Sequence, residues 1–297
     1  MDALRRQEVT VEALKCFRED GGVFPIGAKA RFEVSGSDRV RYLNGQLTRN
    51  VEKLKSGVAA PGCLLTAKGK LCAHVFLWVE ATSIILETEA SLLEDVEARL
   101  GRYIIADDVM VQACPVEEAG FHVFGHEAPL GTLSIERLGV RGYDVGTQPP
   151  DIPIAPLEAI EVLRIERCIP RWGSELDGSS LVQEARLEDT SVDFDKGCYV
   201  GQEVVSRLRS VGRVNRLLTA FTATLVSTAD VRPTLRVDSP DGPVAGTLTS
   251  IAPRFGLAQT AALGYVSRQF ENVTQFLVTD SAGHLLGTAE KRATSIP

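Results

Sequence analysis

The chain has 297 residues, 44% of them hydrophobic and 24% charged, with a formal net charge of −7. That length exceeds what one core usually serves, so two or three domains are expected. The composition is ordinary for a soluble globular protein, and the acidic balance argues against a general nucleic-acid surface while leaving room for a local basic pocket.

The cysteines Cys16, Cys63, Cys72, Cys114, Cys168 and Cys198 contain no C-x-x-C pair, so neither a zinc knuckle nor a thioredoxin-type couple is indicated. No run approaches the roughly 18 apolar residues that a membrane-spanning helix needs. The N-terminus has no apolar stretch, and Glu8, Glu12, Glu19 and Asp20 speak against a transit peptide. A reducing cytoplasm with unpaired thiols is the simplest account. No heptad or long exposed apolar stripe demands a second copy, so a monomer is expected.

In chain order, Val11, Leu14, Phe17 and Arg18 suit a short helix that Gly21-Gly22 ends. Arg31–Val34 reads as a strand, and Ser35-Gly36-Ser37-Asp38 as a turn that caps a helix. Val40, Leu43, Leu47, Val51 and Leu54 lie on one helical face, which Gly45 can interrupt. Residues 63–80 read as a hairpin turning at Lys68-Gly69, a register that sets Leu65 opposite Cys72. Ser83–Thr88 is a further strand. Ser91-Leu92-Leu93-Glu94 has the form of a capping box opening a helix through Leu100 and Tyr103, and Asp108–Ala113 returns as a strand. This is an α+β order rather than a doubly wound one.

A second region begins with strands near Phe121–Phe124 and Arg141–Val145. Pro156 stands at the start of a helix over Leu157–Cys168. Glu158, Glu161, Arg164, Glu166 and Arg167 are scattered round that helix, which either projects into water or carries charge into a pocket. From Leu217 the texture changes. Thr219–Leu225, Thr234–Val237, Val244–Leu248, Ala262–Val266, Gln275–Thr279 and Leu285–Ala289 are short strands punctuated by turns, the pattern of a small β-barrel.

Lys196–Glu203, K-G-C-Y-V-G-Q-E, carries the densest chemistry. Val204, Val205, Leu208 and Val211 follow at helical spacing, so Cys198 sits just before a helix start, where the dipole favours a thiolate and Lys196 can add to the effect. A free cysteine in a core loop is an equally ordinary reading. The dispersed His74, His122, His126 and His284 form no evident metal site, and there is neither a G-x-S-x-G elbow nor a phosphate-binding glycine loop. Arg207, Arg209, Arg213 and Arg216 form a basic run that suits either an anionic tail, a partner or plain solvation.

The octapeptide resembles the signature of the folate-binding YgfZ family, relatives of the aminomethyltransferase (T-protein) of the glycine cleavage system. The resemblance runs on through Gly36-Ser37-Asp38 with Tyr42-Leu43-Asn44-Gly45-Gln46-Leu47-Thr48, then Leu64-Leu65-Thr66-Ala67-Lys68-Gly69-Lys70, and Arg164-Ile165-Glu166. It ends with Gly246-Thr247-Leu248-Thr249-Ser250 and Ala262-Leu263-Gly264-Tyr265-Val266, and covers roughly residues 30–270 in order.

The resemblance implies an α+β fold of two ferredoxin-like units and a C-terminal β-barrel, arranged as a three-domain ring around a folate. The expected segments are 1–120, 121–214 with the motif, and 215–297. It also implies a tetrahydrofolate-binding accessory protein that supports assembly or repair of iron–sulfur clusters in client proteins, without classical turnover. Cys198 is assigned the reactive role with Lys196 beside it. Glu166, whose carboxylate suits a pterin amide edge, is assigned to the cofactor together with Arg164, Tyr199, Gln202, Glu203 and Arg207. An ordinary salt-bridge role for Glu166 is the alternative.

Two features depart from the pattern. Aminomethyltransferases carry aspartates shortly after the hairpin glycine, whereas Leu71-Cys72-Ala73-His74 has no carboxylate. This speaks against the alternative reading, a folate-dependent aminomethyltransferase or demethylase, although His74 is a possible acid or base. Arg49-Asn50 also stands where the family usually has an amide and an aspartate.

Overall fold

The computed structural model describes residues 15, 17, 19–116, 120–210, 212–226, 232–253 and 259–292. By packing, the chain falls into two compact units. One, the barrel unit, takes its residues from 1–24, 152–175 and 214–297; the other, the sheet unit, from 25–151 and 176–213. The three-way division expected from sequence order stays a proposal about separately folding pieces. Lys15, Phe17 and Glu19 are helical, Gly21 (φ +84°) ends that stretch, and β1 (Gly22–Pro25) follows. Val11, Leu14 and Arg18 of the expected N-terminal helix lie outside the described residues.

The sheet unit is built on β2 (Lys29–Ser35), β3 (Ala60–Leu65), β4 (Leu71–Val79), β5 (Ile84–Glu89) and β6 (Met110–Val116), antiparallel in the order β3-β4-β5-β2-β6. Alternation along β2 buries Ala30, Phe32 and Val34 on one face, as a half-buried strand requires. Helix α1 (Arg39–Gln46) ends one residue after Gly45, and α2 (Leu93–Gly101) packs Val96 and Leu100 against the sheet. Shorter strands β7 (Phe121–Phe124), β8 (Ser134–Arg137) and β9 (Val140–Val145) pair in the order β7-β9-β8. Strand β8 has no counterpart in the sequence reading.

Three local expectations are corrected. Leu65 pairs with Leu71 rather than Cys72, because a bulge at Leu64/Leu65 shifts the register. Ser91 caps nothing: the 3₁₀ turn Ala90–Leu92 leads into α2, and no side chain closes its first turn. Asp38 stands at the start of α1, but its carboxylate accepts from the Asp108 N–H (2.9 Å) and pairs with Arg41 instead of capping the helix.

In the barrel unit, β10 (Arg216–Leu225), β11 (Thr234–Arg236), β12 (Val244–Pro253), β13 (Thr260–Ser267), β14 (Gln275–Thr279) and β15 (Leu285–Lys291) close in the order β10-β13-β12-β11-β14-β15. Closure removes the exposed edges that an open sheet would present. Phe221, Leu235, Leu248, Phe276 and Val278 fill the interior. Helix α3 (Leu157–Glu166) lies against β10, β12 and β13 through Val162 and Ile165, which pack with Leu218, Ala252 and Leu263. The expected α+β organisation with a C-terminal β-barrel is therefore present. The second stretch of the sheet unit carries α4 (Glu188–Ser191) and α5 (Gln202–Ser210). No helix among the described residues is long and apolar enough to cross a membrane.

Candidate functional site

The last carbonyls of a helix have no partner within it. At α1 the octapeptide supplies two of them: Lys196 Nζ donates to the Asn44 carbonyl (2.7 Å) and the Val200 N–H to the Gly45 carbonyl (3.1 Å). Lys196 also donates to the carbonyls of Leu47 and Arg49, both at 2.7 Å, so all three ammonium protons are engaged. Its ammonium lies 5.2 Å from the centre of the Tyr199 ring. Burial pushes the Lys196 pKa down to about 8, and that of the buried Tyr199 phenol up to about 12.

Gly201 takes φ +88°, and a Cβ there would sit 2.7 Å from the Thr66 carbonyl oxygen. Gly69 (φ +70°) brings the β3–β4 turn as close to α5, since a Cβ on it would lie 2.7 Å from the Val204 Cβ. Three stretches remote in sequence therefore meet: the end of α1, the β3–β4 turn and the octapeptide. Cys198 is exposed amid this framework, and a Cβ on neighbouring Gly197 would meet nothing within 4 Å.

Gln202 and Glu203 open α5; neither their side chains nor that of exposed Arg207 makes a hydrogen bond among the described residues. Arg209 is stacked over Phe194 at 3.6 Å.

The Arg49-Asn50 departure has a structural partner in Asp193. Arg49 Nη1 pairs with Asp193 Oδ1 (3.0 Å), the Asn50 N–H donates to Oδ2 (2.6 Å), and Arg49 also donates to the carbonyls of Pro61 and Thr190. His74 Nε2 lies 3.1 Å from Ser191 Oγ, and burial, with the Arg49 charge nearby, lowers its pKa to about 4. At neutral pH it is an uncharged imidazole. Arg99 was not singled out in the sequence, yet it donates to Gln46 Oε1 (2.8 Å) and twice to the Leu65 carbonyl. On β7, His122 Nδ1 is 2.8 Å from Asp144 Oδ1. Among the described residues no group of three or more His, Cys, Asp or Glu is placed to hold a metal.

In the barrel unit, the charges scattered round α3 differ in depth: Arg164 is buried, Glu161, Glu166 and Arg167 are half-buried, and Glu158 is exposed. Every donor of buried Arg164 is used: two bonds reach Glu161, and one each reaches Glu175 Oε2 (2.9 Å), the Ile169 carbonyl (2.7 Å) and Ser250 Oγ (2.8 Å). Glu175 is the hub, because Thr249 and Ser250 donate their hydroxyls to its Oε1 at 2.7 and 2.6 Å, and the Arg171 N–H donates to its Oε2. Tyr265 donates to the Glu175 carbonyl (2.9 Å). The motif residues Arg164, Thr249 and Ser250 thus converge on a carboxylate the sequence did not mark, since these three partners lie 11 to 75 residues away from it. Glu166, the last residue of α3, pairs with Arg292 (3.0 Å). Cys168, two positions on, is buried at φ +58°, the left-handed position where glycine normally ends a helix.

No family model matches the chain. It is similar to the protein named iron-sulfur cluster assembly factor IBA57 homolog, mitochondrial, of Chaetomium globosum, at 24% identity over 66% of this chain and 54% of that protein. It thus spans about half the length of that relative. It is similar also to the tRNA-modifying protein YgfZ of Hamiltonella defensa, at 27% identity over 69% of this chain and 70% of that one. The crystal structure of the glycine cleavage system aminomethyltransferase T from Bartonella henselae matches with a TM-score of 0.73 at 16% identity, over 92% of this chain and 85% of that one. The resemblance read from the octapeptide and its companion motifs therefore holds: the chain is a divergent relative of the proteins named YgfZ and IBA57, built on the aminomethyltransferase fold.

Proposed function

We propose that this protein is a tetrahydrofolate-binding accessory factor that supports assembly or repair of iron–sulfur clusters in client enzymes, with the Cys198 thiol as its reacting group. The observation that carries this reading is the division of labour in the octapeptide. Lys196, Val200 and Gly201 are committed to fixing the backbone, while Cys198 is left exposed. A rigid loop that presents a single thiol suits exchange with a partner better than it suits core packing. The relatives' names supply the client class.

For the cofactor, Glu166 is the fitting group. An almost buried carboxylate accepts two parallel N–H bonds, as the amide edge of a reduced pterin offers. Bound tetrahydrofolate would supply a one-carbon carrier. Arg164 acts by holding α3 rather than by touching ligand, and Tyr199 by packing beside Lys196. Gln202, Glu203 and Arg207 remain candidates for ligand contact. Direct one-carbon transfer is the competing reading. The 71–74 stretch offers it no carboxylate, only an uncharged His74 engaged with Ser191.

The test is complementation of a strain lacking the gene. Cys198→Ala is expected to fold and bind folinic acid like the parent but to restore none of the iron–sulfur enzyme activity. Full restoration by the alanine variant refutes the role of the thiol. Formation of methylene-tetrahydrofolate from an aminomethyl-lipoyl donor selects the competing reading.

A further inference from the structure

Helix α5 leads away from the octapeptide with a charge that the rest of the chain does not share. Between Val204 and Ala229 the sequence holds Arg207, Arg209, Arg213 and Arg216 and no aspartate or glutamate, on a chain of net charge −7. Arg207, Arg209 and Arg213 belong to the sheet unit, and all three are exposed. None of them is joined to a carboxylate among the described residues. Glu203 stands four residues before Arg207, the spacing and order that favour an ion pair on a helix, yet no bond forms between them. Burial raises the Glu188 pKa and the Arg209 charge opposes that shift, but no ion pair joins these two either. The Arg209 guanidinium is instead stacked over the Phe194 ring at 3.6 Å, which orders a long side chain without neutralising it. The opposite face of the helix is fixed in place, with Val205 buried and Val204 against the β3–β4 turn at Gly69.

Resting on the reading of Cys198 as the reacting thiol, we infer that this arginine face is the docking surface for an acidic protein segment, carried by the partner on which Cys198 acts. Helix α5 is nine residues long, about 13 Å, so one partner covering the usual area of about 800 Å² per side spans both the thiol before its start and the arginines at its far end. Carboxylates match guanidinium forks two N–H bonds at a time. The helix dipole accounts for cations in the last turn of α5, but not for Arg213, which lies beyond the helix end at Ser210. A nucleic acid fits this face less well, since binding to a phosphate backbone rests on many cations at once and the chain as a whole is acidic.

Disulfide exchange with charged probes tests this on the full-length protein. Each probe is a short peptide whose single cysteine is activated as the 2-pyridyl disulfide and flanked by glutamates, glutamines or lysines. The Cys198 thiolate attacks the peptide sulfur, a new disulfide forms, and pyridine-2-thione leaves with the electron pair of the broken bond and is read by its absorbance. Release by Cys198→Ala is subtracted as the background from other thiols. The glutamate probe is expected to react about tenfold faster than the glutamine probe at about 20 mM ionic strength, and the ratio to fall towards one in about 1 M salt. Arg207→Glu/Arg213→Glu turns the preference towards the lysine probe, whereas Arg209→Lys keeps the parent's preference. Taking the ratio of probes within each variant removes any change in the thiol itself. Equal rates for the glutamate and glutamine probes, or a preference that survives the charge reversal, overturn the inference. So does a thiolated RNA oligonucleotide of matched charge that outpaces the glutamate probe, or a preference lost on saturation with folinic acid, which assigns the arginines to the cofactor. No release above the Cys198→Ala background with any probe overturns the underlying reading of the thiol instead.

Discussion

The sheet unit and the barrel unit each carry motif residues, and they use them in opposite ways. Around the octapeptide, side chains and N–H groups bind backbone carbonyls, and the Cys198 thiol is left outside the network. Around α3, side chains bind one another, and Glu175 lies inside the network with Arg164 on it. Backbone capping gives a rigid loop at the cost of one buried ammonium, whose pKa burial lowers to about 8. A buried charge lattice is rigid only while every member is present, because losing one leaves its partner uncompensated.

That difference predicts the largest mutational effect. Glu175→Ala removes one of the two carboxylates on buried Arg164 and the acceptor of the Ser250 hydroxyl, leaving Thr249 only the Leu263 carbonyl, and is expected to destabilise the protein by about 3–5 kcal/mol in urea unfolding. A cost under about 1 kcal/mol would show that the lattice is dispensable. On the capping side, Gly201→Ala forces a Cβ to 2.7 Å from the Thr66 oxygen at positive φ and is expected to cost about 3 kcal/mol. Gly197→Ala, which meets open space, is expected to stay within about 0.5 kcal/mol. Equal effects at the two glycines would break the claim that backbone fit holds the loop.

His74 sharpens the comparison through pH. The folded state keeps it neutral down to about pH 4, whereas the unfolded chain takes up the proton near pH 6.5, so stability falls as pH drops through that window. The loss is about 3 kcal/mol at most, and His74→Asn should flatten this part of the pH profile relative to the parent. A smaller effect than at His74 is expected at Cys168. Its left-handed backbone favours glycine, so Cys168→Gly should be about 1 kcal/mol less destabilising than Cys168→Ala, although glycine buries less. The reverse order would show that side-chain packing outweighs the helix ending.

Much of the fold was legible because its signals are local. All six barrel strands follow from short runs between turn residues, whereas the helical face read through Leu54 stops at Gln46, one residue after Gly45. What local pattern cannot carry is register and partnership. The bulge at Leu64/Leu65 moved Cys72 off its expected partner, and the Asp38 carboxylate accepts from the Asp108 N–H instead of capping α1. The site divides the same way. Cys198 before a helix start was readable from spacing, whereas the bonds of Lys196 to three carbonyls about 150 residues away were not. Glu175 carries no sequence signature, because its importance lies wholly in residues brought to it by the fold.

The account turns on a thiol presented by a rigid loop, and native-state alkylation reads this most directly. Iodoacetamide added in small excess to the folded protein, followed by peptide mass mapping, should label Cys198 to near completion while buried Cys63 and Cys168 stay unmodified until denaturant is added. Labelling of Cys198 no faster than of Cys63 or Cys168 would contradict it.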